Sequence, residues 1–126
     1  MVSGIDIKNC LEHFEKSLVY IWKPKCSSEI CISPIVLEKY CKSKNVELFI
    51  VAEYYDYENM TLNFPIKRPI FGVDCHHYSS HLTKNYISMF LSDLIGKKTQ
   101  YEENQFYLFN YGCLVDISNS LERLKN

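Results

Sequence analysis

No apolar run in the chain approaches the roughly 20 residues that a membrane-spanning helix requires, so no membrane span is expected. Charge of either sign is not in excess either: 14 Lys and Arg stand against 15 Asp and Glu, for a formal net charge of −1. The basic residues are scattered and form no stripe, which excludes a general electrostatic pull toward nucleic acid or an anionic membrane surface. No charged n-region and apolar h-region precede the first helical pattern, so no signal peptide is expected. Internal repeats and low-complexity tracts are also missing.

What is there is a 126-residue chain, 47% apolar and 23% charged. That suits one domain over residues 1–126, long enough to bury about two-thirds of its unfolded surface. Six cysteines stand at 10, 26, 31, 41, 75 and 113. A chain with a full apolar core does not need a disulfide framework, so some of these thiols are free for chemistry.

Along the chain, Ile7, Cys10, Leu11, Phe14 and Leu18 recur at helical spacing, which predicts a helix over Ile5–Lys16 capped by Ser3 or Asp6. Leu18–Trp22 is a continuous apolar run, the mark of a strand buried on both faces, and Pro24 closes it. From Ile32 the pattern is helical again, with Ile32, Ile35, Val36, Tyr40 and Cys41 inward and Pro34 in the first turn, where a missing N–H costs least. Ser43–Asn45 ends that helix, and Val46–Ala52 is a second buried strand. A helical crossover of roughly a dozen residues implies that the two strands are parallel neighbours. Glu53–Pro69 reads as a loop with one helical turn at Tyr57–Leu62, followed by a short strand at Ile70–Asp74. Ser79–Ile95 is a long helix ended by Gly96, with Leu82, Tyr86, Met89, Phe90, Asp93 and Leu94 on one face. Gln105–Phe109 and Cys113–Ile117 form a hairpin around a three-residue Asn110-Tyr111-Gly112 turn, and Ser118 caps a last helix over Asn119–Lys125. The order predicts a three-layer α/β domain.

The motif Tyr20-Ile21-Trp22-Lys23-Pro24-Lys25-Cys26, followed eight residues later by Pro34, joins the first core strand to the first core helix. With the order of elements around it, this stretch resembles the thioredoxin superfamily, and most closely its redoxin or cytochrome-biogenesis branch. The resemblance covers nearly the whole chain. It implies a thioredoxin-like fold with a central mixed sheet, parallel core strands, a C-terminal hairpin and helices on both faces. It further implies thiol–disulfide exchange, with Cys26 as nucleophile, protein thiols or disulfides as partners and no cofactor.

Two departures from the family pattern stand out. The resolving cysteine expected three residues after the nucleophile is Glu29, and the next cysteine is Cys31. The proline expected just before the hairpin strand, where the family holds an incoming peptide, is Asn104. Because a non-proline cis bond costs about 2.5–4 kcal/mol, the peptide before Asn104 is expected to be trans.

At a helix N-terminus, beside Lys23 and Lys25, the Cys26 thiolate would meet free N–H groups and positive potential, the ingredients of a reactive thiol. Glu29 would oppose them. Cys31 is the candidate resolving thiol, with packing in the helix as the alternative. In an intact helix, residues five apart rise about 7.5 Å, beyond the about 4.4–6.8 Å between disulfide Cα atoms, so a Cys26–Cys31 bond needs a non-helical turn. One branch of peroxiredoxins has a Cys-Thr-x-Glu-x-Cys spacing similar to Cys26–Cys31, but Lys23 stands where that branch needs Thr or Ser, which counts against a peroxidase. Trp22, Pro24, Lys25, Glu29 and Asn104 complete the expected shell. A different class of reading is a redox-inactive thioredoxin-like binding or scaffold module, which the two departures favour.

Cys10, Cys41 and Cys113 lie on apolar faces and are expected to pack as small hydrophobes. Cys75, His76, His77 and His81 match no structural zinc spacing and read as an exposed loop, with no metal expected. Tyr54, Tyr55 and Tyr57 follow the second strand at the edge where α/β sheets bind ligands. If the redox reading holds, an extracytoplasmic (periplasmic) setting suits a stable disulfide.

Overall fold

Strand β1 (Lys16–Trp22) occupies the centre of the sheet and is buried at every position from Ser17 to Trp22. The computed structural model describes residues 1–23, 32–54 and 68–124. On one side β1 pairs in parallel with β2 (Glu47–Ala52), from Ser17 opposite Glu47 to Trp22 opposite Ala52. On the other it pairs antiparallel with β4 (Phe106–Asn110). β3 (Ile70–Gly72) extends the parallel edge and β5 (Cys113–Ser118) the antiparallel one, giving the order β3-β2-β1-β4-β5.

The continuous apolar runs follow from this placement, because alternate residues of a central strand face two different layers. Val19 and Ile21 of β1, Phe49 and Val51 of β2, and Tyr107 and Phe109 of β4 pack against α1 (Gly4–Leu11) and α3 (Thr83–Ile95). Leu18, Tyr20, Trp22, Leu48, Ile50, Phe106 and Leu108 face α2 (Pro34–Lys44) and Leu124. The molecule is thus an α/β structure with a mixed five-stranded sheet and helices on both faces.

Several boundaries differ from the sequence expectation. The first helix starts with a capping box, Ser3 and Asp6 each bonding the other's backbone N–H, but it stops at Leu11. The chain then turns so that Phe14 meets Phe49 edge-on and the carbonyls of Phe14 and Glu15 accept the N–H of Tyr111 from the hairpin. Leu18 accordingly belongs to β1. Where α1 crosses α3, Gly4 leaves room for backbone: a Cβ there would lie 2.3 Å from the carbonyl oxygen of Phe90.

Helix α2 is capped by Ser33, with Pro34 at its first position as expected, and ends at Asn45 in the left-handed region. Its inward stripe is Pro34, Leu37 and Cys41, while Val36 is 52% exposed. One residue of helical rotation, about 100°, separates Leu37 from Val36, and the i,i+4 pair Leu37/Cys41 takes the sheet side. In α3 the start moves from Ser79 to Thr83, since Ser79 sits at φ 54°, and Ile87 and Leu91 join the buried stripe in place of exposed Leu82 and Met89. β3 ends at Gly72, and Val73 instead bridges to Val2. The hairpin turn has two residues, not three: Asn110 pairs with Cys113, and Tyr111 and Gly112 both have positive φ, as a type I′ turn requires. β5 runs through Ser118, and only a 3₁₀ turn at Leu121–Arg123 follows among the described residues. The expected helical turn at Tyr57–Leu62 lies outside them.

Candidate functional site

Strands β1 and β2 are parallel and end together, so Trp22 and Glu53 meet at the carboxyl edge of the sheet, where the Glu53 N–H donates to the Trp22 carbonyl at 2.9 Å. Trp22 is 4% exposed and packs in the layer under α2, so it anchors this edge from below. Lys23, the next residue, pairs with Glu103. Pro24, Lys25, Cys26, Glu29 and Cys31 lie outside the described residues, and with them the geometry between the two cysteines. The chain is described again from Ile32, with Ser33 in extended conformation accepting the Ile35 N–H, so α2 begins three residues after Cys31. Asn104 stands two residues before β4 at φ 60°, and no cis peptide occurs among the described residues, in line with a trans bond there.

The same edge holds a group that sequence reasoning missed. Glu53, read as the first residue of a polar loop, is only 6% exposed. Its Oε2 accepts a short hydrogen bond from the phenol of Tyr101, and its backbone carbonyl accepts the Tyr86 phenol at 2.7 Å. Tyr101 is fixed in turn by its N–H, which donates to Ser88 Oγ on α3 at 2.9 Å. Burial raises the Glu53 carboxyl above the ordinary carboxylate range; the Tyr101 bond and the Lys23 charge oppose the rise, and Glu103 adds to it. Burial, then the bond to Glu53, likewise raises the Tyr101 phenol. A pocket of about 490 Å³ opens beside these groups, lined by Lys23, Glu53, Thr83, Lys84, Tyr101 and Glu103.

This pocket sits between the end of β1 and the approach to β4. The connection leaving β1 runs through α2 on one face, while the connection entering β4 runs through α3 on the other. A crevice at such a switch, outside the carboxyl ends of parallel strands, is where open α/β sheets bind ligands. The readable signal was a single carboxylate closing a buried apolar strand at that edge. The group that buries it, Tyr101, is 48 residues away and gave no local sign.

The other cysteines divide. Cys41 is buried as expected, and burial pushes its thiol up to about 12, so it stays protonated and inert. Cys10 and Cys113 are exposed, contrary to expectation: one lies on the solvent side of α1 and the other opens edge strand β5. Cys75 is half-buried against the core on the α1/α3 face. His76, His77 and His81 are exposed, and no cluster of metal-binding side chains occurs among the described residues. Tyr54 is half-buried, and Tyr55 and Tyr57 lie outside the described residues.

The chain matches no protein-family model, no curated protein and no solved structure.

Proposed function

We propose that the protein is a thioredoxin-like thiol–disulfide redox protein that acts through Cys26, with Cys31 as the resolving thiol. The observation that carries this reading is the position of β1: a central, fully buried strand that releases the chain at the carboxyl edge, four residues before Cys26, with α2 following. A mixed sheet with parallel core strands, a hairpin at β4 and β5, and helices on both faces supports the reading.

In the reaction, the Cys26 thiolate attacks a protein disulfide, forming a mixed disulfide and releasing one partner sulfur as a thiolate that takes a proton from water. The Cys31 thiolate then attacks the Cys26 sulfur, which breaks the mixed disulfide and frees the second partner thiol. The partner gains two electrons and Cys26 and Cys31 lose them; no cofactor takes part.

The test is insulin reduction by wild type and Cys26→Ser in the presence of dithiothreitol. Wild type should exceed dithiothreitol alone and the variant should not. Equal rates for wild type and dithiothreitol alone remove the catalytic reading. The second reading, a redox-inactive binding module, is favoured by one observation: a left-handed, trans Asn104 where the family holds its substrate strand against a proline. Thiol titration with and without reductant separates the two, since only the redox reading requires a reversible Cys26–Cys31 bond.

A further inference from the structure

We propose that Glu53 and Tyr101 form a proton-dependent latch that holds the segment from Tyr101 to Gln105 against the carboxyl ends of β1 and β2. The proposal rests on the geometry of the Glu53 cluster and does not depend on cysteine chemistry. Glu53 is the joint of three elements: its N–H bonds the end of β1, its carbonyl takes the Tyr86 phenol from α3, and its carboxyl takes the Tyr101 phenol. The segment so held carries Glu103, which pairs with Lys23, and Asn104, which leads into β4.

The buried carboxyl is poorly equipped to be an anion. Among the described residues, the groups that face it are Tyr20 from β1, Lys23 just after it, Thr83, Lys84 and Tyr86 from α3, and Tyr101 and Glu103 from the latched segment. Of the two described cations, Lys23 already has a carboxylate partner in Glu103, and Lys84 is exposed at the pocket rim. The only side-chain hydrogen bond to the Glu53 carboxyl among the described residues comes from one phenol. That bond recovers part of the cost of burying a charge but not all of it. Closure therefore favours the neutral acid over the anion, with the Tyr101 phenol donating to one oxygen of the carboxyl.

The direction of the switch follows from linkage. The closed form binds a proton that the open form, with Glu53 in water, releases at the ordinary carboxylate value of about 4.3. Closure is thus strongest at or below that value and weakens as pH rises toward the carboxyl's elevated value in the closed form, by at most about tenfold per pH unit for one proton. Above that value the dependence flattens.

Amide hydrogen exchange on the intact chain tests the proposal, with the Tyr101 N–H as the reporter. Its protection factor in wild type should fall with rising pH by up to about tenfold per unit. In Glu53→Gln, which keeps an acceptor for the phenol and cannot ionise, the slope should vanish; equal slopes in the two proteins overturn the latch. A second measurement stands if that variant fails to fold. The Glu53 carboxyl carbon, followed by NMR, should titrate above the ordinary carboxylate range, and Tyr101→Phe should move its midpoint upward by removing the bond that favours the ionised form. A wild-type midpoint within the ordinary range, or one that Tyr101→Phe leaves in place, overturns the proposal.

Discussion

At the amino end of β2, the Arg68 guanidinium donates twice to the Leu48 carbonyl, at 3.0 and 2.8 Å, pairs with Glu47 and lies over the Phe49 ring. The Arg68 backbone N–H donates to the Glu38 carboxylate of α2 at 3.0 Å. At the carboxyl end of the same strand, Glu53 is more deeply buried, and among the described residues one phenol donates to its carboxyl. The first charge is well matched and left partly in water, as a clamp between strand and helix should be. The Glu53 carboxyl is enclosed, and it faces the crevice where ligands of such sheets bind.

Glu53→Lys should break this comparison most severely. It buries a cation beside Lys23 in place of the carboxyl, and the cost should be about 3–5 kcal/mol of unfolding free energy by urea titration. Arg68→Ala comes next, at about 1.5–3 kcal/mol, toward the lower figure because its side chain is 31% exposed. The Glu53 contribution, by contrast, should fall as pH rises above the ordinary carboxylate value toward the carboxyl's raised one. Lys23→Ala should cost least, below about 1 kcal/mol, because its partner Glu103 is largely exposed. It should nonetheless raise the Glu53 titration midpoint by NMR, since the Lys23 charge favours the ionised carboxyl. A midpoint that stays in place would show that Lys23 belongs to Glu103 alone.

The central strands were legible because Leu18–Trp22 and Val46–Ala52 are too apolar to present a wet face, and a crossover that contains a helix suits parallel pairing. Ser3, Pro34 and Gly96 announced helix ends by chemistry that acts within one turn. Where long-range packing decides, reading failed. The end of α1 is set by a hairpin nearly a hundred residues later, through the Tyr111 N–H. The face of α2 could not be chosen locally, because Val36 and Leu37 are both apolar and only the sheet selects Leu37. Of the expected site, the edge and its approach through Trp22 and Lys23 were readable from the strand, while Glu53 was hidden for the same reason as the α1 end: its partner is distant in sequence.

Gly4 sets a different kind of limit. Since the α1–α3 crossing is fixed by an atom that is missing, the separation of the two helices is not negotiable by repacking their side chains. A redesign that kept every apolar residue of α1 but gave position 4 any side chain would have to lift the whole helix. That would carry with it the Ser3–Asp6 cap, the Val2 bridge to Val73 and the Tyr78 phenol that receives the Gly4 N–H. The tolerance of this layer to sequence change is therefore concentrated away from its first turn, on exposed positions such as Ile5 and Cys10.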